Sequence, residues 1–310
     1  MTMTLGMMVL GILSGLWAAF FQALSYVATR YFVAPRSGGT RKLLVLAHVW
    51  MGAVCVGLLP LFSPAQAIPW REIASPLIQM TLFYLLGQLG LMMALRHAEP
   101  SQVSPMLAFK LIILAVLTML VGHQRLTGGQ LTALGMCIAG TLLVNYSGRP
   151  PRRALAAVAF ACLFYAFSDW NIGRSIHTMV EAEPRITLWQ AAILASLLSY
   201  ALAGLIAAAL LPWFGSRHAK DWIDAVPFAA CWFLGMIGLY LCFGILGVLF
   251  GNLLQATRAI ISVFLAAALA RLKWMHFEQP HGRGVWLRRL GAAVLVTAAV
   301  MLYHLSRPAS

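Results

Sequence analysis

The sequence predicts an all-α integral membrane protein with ten transmembrane helices, arranged as two inverted five-helix repeats. Of its 310 residues 61% are hydrophobic and only 10% are charged, whereas a soluble domain carries about 25% charged residues. The mean hydropathy is +0.84. Apolar runs of roughly 20 residues, the length that a bilayer requires, alternate with short polar segments. Segments of the two halves also match each other weakly.

The apolar runs define the predicted spans. Residues 227–270 are almost continuously apolar and would form a helix of about 66 Å, which is twice the thickness of a bilayer core. The chain must therefore fold back between spans eight and nine, around Gly244, Gly247 and Gly251. The ten spans are 5–33, 43–62, 75–97, 101–121, 128–147, 152–176, 188–211, 223–244, 249–270 and 285–305.

Lys and Arg residues are distributed unevenly between the two predicted faces. Fifteen of the 22 lie in odd-numbered loops or at the adjoining helix ends, and five lie on the face that carries both termini. Loops rich in Lys and Arg stay in the cytoplasm, so both termini are expected outside a bacterial inner membrane. The net charge of +14 is loop charge rather than one basic face, and no nucleic-acid partner is predicted.

Matched segments divide the chain into a first repeat, 1–149, and a second repeat, 150–310. Each repeat holds five spans. Because five is odd, the second repeat must enter the bilayer from the opposite face, as in the inverted repeats of many secondary transporters. The matches are 25–30 with 169–174, 106–110 with 254–258, and 131–135 with 287–291.

Lys110 and Arg258 are cations within predicted spans, each near the tenth residue and hence roughly 14 Å along its helix. A cation at this depth costs about 2.5 to 3.5 kcal/mol. They correspond under the repeat, and an inverted axis would bring both to one central cavity. There they would bind an anion, Arg with planar bidentate donors and Lys as a point charge. Alternatively, one or both pair with carboxylates or backbone carbonyls.

Other polar residues within spans complete the candidate site. Asp169, the acidic residue well inside a span, either balances the two cations or carries a coupled proton; alternatively it neutralises Arg258 or Arg174. Polar side chains on spans one, three and eight face a cavity or form interhelical hydrogen bonds. The predicted substrate-binding set is Lys110, Arg258, Asp169, Tyr26, Gln88 and Tyr240.

Catalytic and cofactor motifs are absent from the sequence. It has no His-Glu-x-x-His, Gly-x-Ser-x-Gly or Walker loop, so neither an enzyme nor a cofactor is predicted. His276 and His281 share a loop with Glu278, but this group lacks a convincing third ligand, so no metal site is predicted. The five cysteines lie in apolar runs without paired spacing and are interpreted as packing residues.

Two segments resemble the EamA-type members of the drug/metabolite transporter superfamily. Residues 94–105 (Ala-Leu-Arg-His-Ala-Glu-Pro-Ser-Gln-Val-Ser-Pro) look like the family's link between helices three and four, and residues 125–135 look like the start of helix five. The resemblance extends over nearly the whole chain. One departure is Gln124-Arg125, where the family usually has an acidic residue; another is the family's cytoplasmic termini, which contradict the charge count.

The resemblance implies a ten-helix carrier whose central cavity is lined by helices one, three, four, six, eight and nine. Members export amino acids, drugs and metabolites, and related translocators bind phosphate with basic residues on helices four and nine, where Lys110 and Arg258 lie. The sequence thus predicts a secondary-active carrier for a small organic anion or zwitterion. The alternatives are an exporter of amphipathic or cationic drugs and a membrane-embedded lipid-handling protein. Beyond the substrate and the lipid bilayer no partner is predicted, and the oligomeric state stays open.

Overall fold

The computed structural model describes residues 5–33, 39–62, 68–98, 103, 106–144, 151–271 and 283–306. In these ranges the regular structure consists of eleven α-helices and one 3-10 turn. The helices are α1 Leu5–Val33, α2 Gly39–Phe62, α3 Trp70–His97, α4 Lys110–Leu120, α5 Gly128–Val144, α6 Arg152–Ala182, α7 Leu188–Phe214, α8 Ala219–Leu246, α9 Val248–Gln255, α10 Arg258–Arg271 and α11 Arg283–Leu305; the turn is Leu107–Phe109. The predicted repeat boundary at 149/150 lies outside the described residues.

Within the described ranges, six helices are long and apolar enough to cross a membrane: α1, α2, α3, α6, α7 and α8. Helix is the expected structure here, because lipid offers no partners for free backbone N–H and C=O groups. Helical residues also occur in each of the ten predicted spans. The protein is therefore a multi-pass membrane protein, and its ten crossings stay a prediction.

The distribution of side chains is the reverse of that in a water-soluble protein. Large apolar side chains cover the outside: Leu205 is 65% exposed, Ile223 67% and Trp213 73%. Polar side chains such as Gln22 and Asp169 are buried between the helices. This arrangement matches an apolar surround outside and a polar centre inside.

Helices pack mainly across the two halves of the chain. The most extensive contacts join α3 to α6, α1 to α8, α2 to α7 and α5 to α11. In the predicted repeat α1 corresponds to α6, α2 to α7, α3 to α8 and α5 to α11. Exchanging each helix for its counterpart leaves this set of pairs unchanged. Between α2 and α7 the backbones touch, since a Cβ added at Gly52 would lie 2.6 Å from the Cα of Gly204.

Spans four and nine were predicted as continuous helices, and the structure corrects both. The described part of span four is the 3-10 turn followed by α4, which begins at Lys110. Span nine is divided into α9 and α10, and α10 begins at Arg258 after a short turn at residues 256–257. Each buried cation is thus the first residue of an α-helix. The predicted break between α8 and α9 is confirmed at Gly247, whose φ of 85° suits glycine.

Candidate functional site

A small cavity lies at the centre of the bundle. Its free space, measured as the volume open to the centre of a water molecule, is about 20 Å³, enough for about one water. Residues of α1, α3, α4, α6, α8, α9 and α10 line it, which includes every helix position that the family resemblance implies. The lining residues are Gln22, Tyr26, Tyr84, Leu107, Lys110, Tyr165, Asp169, Trp232, Met236, Leu239, Gln255 and Arg258.

Lys110 enters the cavity from the start of α4 and is paired. Its Nζ donates to Asp169 Oδ2 at 2.9 Å and to Gln255 Oε1 at 2.6 Å. Only 8% of the Lys110 side chain and 5% of the Asp169 side chain are exposed. The sequence left open whether Asp169 balances both cations, carries a coupled proton, or neutralises Arg258 or Arg174; in the structure its partner is Lys110.

Arg258 enters from the start of α10 and has no carboxylate partner among the described residues. Its Nη1 donates to Gln22 Oε1 at 2.5 Å, and its guanidinium carbon lies 5.3 Å from the centre of the Tyr26 ring. The buried Nε has no hydrogen-bond acceptor within the described parts of the chain. An unsatisfied buried donor is unfavourable, and an acceptor on a ligand would remove this cost. Arg258 therefore has the capacity to bind a ligand.

Two amide side chains connect the cations. Gln255 accepts from Lys110 and donates from Nε2 to Gln22 Oε1 at 2.8 Å. The resulting polar chain, defined as Asp169–Lys110–Gln255–Gln22–Arg258, crosses the cavity through five different helices. Gln22 Nε2 faces Met236 Sδ at 3.3 Å, which is consistent with its oxygen facing the two donors.

A second, smaller cavity adjoins the central one. It offers about 10 Å³ for water centres, and its walls include Thr141 of α5 and Asn252 of α9. Lys110, Gln255 and Arg258 line both cavities. These three members of the polar chain therefore belong to the walls of both cavities.

Aromatic side chains form another wall of the central cavity. The Tyr26 ring stacks against Trp232 at a centroid distance of 6.4 Å, and Tyr84 lies 6.3 Å from Trp232 and 6.4 Å from Tyr165. The hydroxyl of Tyr26 is buried without a hydrogen-bond partner in the described region. The cavity thus combines a cationic end with an aromatic wall.

His48 holds part of this wall in place. Its Nδ1 lies 2.6 Å from the Leu44 carbonyl oxygen, which can only accept, so Nδ1 carries a proton. In the neutral ring Nε2 then accepts from the Tyr84 hydroxyl at 2.8 Å. Behind them Trp232 Nε1 donates to the Tyr200 hydroxyl at 2.9 Å.

The structure brings four of the six predicted site residues to the cavity: Lys110, Arg258, Asp169 and Tyr26. The other two lie outside its lining. Gln88 accepts a hydrogen bond from Tyr165 and so supports the wall from behind, while its Nε2 is buried without a partner in the described region. Tyr240 is 2% exposed and interacts with Ser199 of α7.

Sequence reasoning did not place Gln22, Gln255, Tyr84, Tyr165 or Trp232 in the binding set. A signal was present, because lining residues recur at one-turn spacing on single helices, where they share a face. The pairs are Gln22 with Tyr26, Tyr165 with Asp169, and Trp232 with Met236. Gln255 and Arg258 lie on either side of the turn between α9 and α10.

No group of three potential metal ligands occurs among the described residues. The loop with His276, Glu278 and His281 lies outside them. All five cysteines lie in the described residues, where none forms a disulfide, and four of them are buried in the bundle.

Comparison with known proteins now identifies the family. Residues 9–146 match the model of the EamA-like transporter family. These residues belong to that family. The resemblance read from the sequence motifs is thereby confirmed over these residues, and the EamA-like family belongs to the drug/metabolite transporter superfamily. A search among curated proteins finds no match.

A solved structure has a similar fold over nearly the whole chain. It is described only as "Crystal structure of protein", is 16% identical in sequence, and has a TM-score of 0.58. The alignment covers 96% of this chain and 99% of the other. At this identity the likeness concerns the fold alone.

Proposed function

We propose that this EamA-like protein is a secondary-active transporter of a small organic anion or zwitterion. The observation that carries the proposal is Arg258, which is buried in a central cavity without a carboxylate partner among the described residues. A buried charge is costly unless it is paired. A bound anion would supply the missing pair.

Alternating access between two inverted repeats is the proposed mechanism. The helix pairing that is unchanged when the halves are exchanged supports a two-fold relation between them. With about 20 Å³ of free space the central cavity is too small for a metabolite, so binding requires the helices around it to separate. Three members of the polar chain, Lys110, Gln255 and Arg258, line both cavities. We expect the hydrogen bonds of this chain to break when the helices separate.

An exporter of amphipathic or cationic compounds is the second candidate, and the aromatic wall favours it because aromatic faces attract cations. Against it, Lys110 and Arg258 outnumber Asp169 among the charged residues that line the cavity.

For orientation we propose cytoplasmic odd loops in a bacterial inner membrane, as the charge distribution predicts, although the family norm is the reverse. Arg41→Cys and Arg71→Cys test it in a background with the native cysteines replaced. Both residues are exposed, near the starts of α2 and α3, which are predicted to lie on opposite faces of the membrane. An impermeant thiol reagent should label position 71 in intact cells and not position 41. The opposite labelling would show that the termini are cytoplasmic.

Transport into proteoliposomes tests the function itself. A panel of anionic, zwitterionic and cationic metabolites should reveal uptake of anions or zwitterions, and Arg258→Gln should reduce it. Lys42→Gln removes a cation from a pair outside the cavity and is the matched control. If only cations are transported, or if Arg258→Gln transports the substrate with unchanged apparent affinity, the anion assignment is wrong.

A further inference from the structure

We propose that the site selects an anionic group with a single negative charge, and that the carboxamide oxygen of Gln22 occupies the place of that group on Arg258 while the cavity is closed. The proposal rests on the anion-transport function above and specifies the chemistry of its substrate.

The first step is the charge of the lining. Lys110 and Asp169 form a salt bridge of 2.9 Å with both side chains more than nine-tenths buried, so together they contribute no net charge. Arg258 then supplies one uncompensated positive charge. In a cavity shielded from water, a ligand of charge −1 makes the site neutral. A dianion leaves one negative charge in excess unless Lys110 separates from Asp169, which is strongly unfavourable for a buried pair.

The second step is the donors that the lining leaves unused. Arg258 Nε and the Tyr26 hydroxyl are both buried, and neither has a partner among the described residues. The guanidinium carbon lies 5.3 Å from the centre of the Tyr26 ring, so the two residues are neighbours in the same cavity. A guanidinium binds a planar carboxylate through two parallel N–H bonds. The site is thus suited to a carboxylate, with the hydroxyl as a further donor.

The third step is the group that accepts a hydrogen bond from the Arg258 guanidinium in this structure. Gln22 Oε1 accepts from Arg258 Nη1 at 2.5 Å and from Gln255 Nε2 at 2.8 Å. A carboxamide oxygen is the neutral counterpart of a carboxylate oxygen, and it satisfies the donors without cancelling the charge. A substrate carboxylate offers the same bonds together with the missing charge, so it displaces Gln22.

Two probes that share a ring and differ in charge test the selection. Benzoate carries one negative charge, whereas phenyl phosphate is mainly a dianion at about pH 7.5, since the second pKa of a phosphate monoester is about 6. Calorimetric titration of the full chain in nanodiscs should show tighter binding of benzoate. In Asp169→Asn Lys110 becomes an additional free cation, and the affinity ratio should move toward phenyl phosphate by about tenfold or more.

A second variant tests the role of Gln22 and decides the matter if Asp169→Asn does not fold. Gln22→Glu tethers a carboxylate beside Arg258, so benzoate binding should weaken by about tenfold or more. The matched controls make the same chemical changes outside the cavity: Asp221→Asn at the Lys42 pair and Gln190→Glu at the start of α7. Both should bind the probes as the wild type does.

The outcomes separate this inference from the transport proposal. If the wild type binds both probes, and neither the ratio in Asp169→Asn nor the benzoate affinity in Gln22→Glu changes, the charge selection is overturned while anion transport stands. A shifted ratio without a loss in Gln22→Glu overturns the role of Gln22. If the wild type binds neither probe and no anion of the transport panel, both proposals are overturned.

Discussion

The two halves of the molecule place a cation at corresponding positions and give it different partners. Lys110, at the start of α4, reaches across to Asp169 on α6, the first helix of the second half. Arg258, at the start of α10, reaches across to Gln22 on α1, the first helix of the first half. The two positions correspond in the predicted repeat, whereas their partners differ: a carboxylate for Lys110 and a carboxamide for Arg258. Of these two matched positions, the described side chains leave the one at Arg258 without a counter-charge.

This difference assigns distinct roles to the two cations. The Lys110 pair is complete without a ligand, so its loss should affect mainly the stability of the protein. Arg258 has an unused donor and no carboxylate among the described residues, so its loss should affect mainly binding. Substitutions that separate stability from affinity test the comparison directly.

The largest effect is expected for Lys110→Met. The change retains the length of the side chain and leaves the Asp169 carboxylate buried without its partner, which should cost about 3 to 5 kcal/mol of folding free energy. The midpoint of unfolding in nanodiscs measures it. The double variant Lys110→Met/Asp169→Asn should recover part of the loss. A single variant as stable as the wild type would show that the pair is not structural.

Arg258→Gln should lower the affinity for the transported anion about tenfold to a hundredfold, because a hydrogen bond to a charged group contributes about 1.5 to 3 kcal/mol. Its stability should fall less than that of Lys110→Met, since no carboxylate loses a partner. Equilibrium binding and thermal unfolding on the same preparation give both values. A larger loss of stability in Arg258→Gln would reverse the assigned roles.

Arg258→Lys retains the charge and removes the planar fork of donors. We expect about tenfold weaker binding of a carboxylate substrate, with transport still detectable. Titration of the purified variant with the substrate measures this. Affinity equal to that of the wild type would mean that Arg258 acts as a point charge alone.

The smallest effect is expected for Lys42→Met. Lys42 pairs with Asp221 at 3.0 Å, but its side chain is 27% exposed, and pairs of this kind contribute about 1 kcal/mol or less. Stability should therefore change little, and transport kinetics should match the wild type. A loss close to that of Lys110→Met would show that burial does not separate the two pairs.

Much of the architecture was predictable from the sequence, because apolar runs and their polar ends are local features. The observed helices fall on the predicted spans, and Gly247 marks the predicted break between α8 and α9. The interruptions just before Lys110 and Arg258 were not predicted. Neither interruption is marked by a polar loop, so hydropathy alone does not reveal it.

The candidate site was predictable only in part. Lys110, Arg258 and Asp169 are conspicuous because charge inside an apolar span is costly. Gln255 and Trp232 are less so, since an amide or an indole within a helix also fits ordinary interhelical packing. The spacing of these two residues from the next lining residue along the chain indicates that each pair lies on the same side. It does not show which cavity that side meets.

The sequence by itself determined that this is a membrane protein, and it predicted that two cations lie at matching points of a repeat, because composition, span length and depth in a span are properties of contiguous residues. Only the tertiary structure decided which cation Asp169 neutralises and which cation donates a hydrogen bond to the carboxamide of Gln22. Those contacts join residues 59 and 236 positions apart, so they depend on how distant helices pack, which no local pattern encodes. The charge left on Arg258, and with it the proposed anion site, is a consequence of that packing.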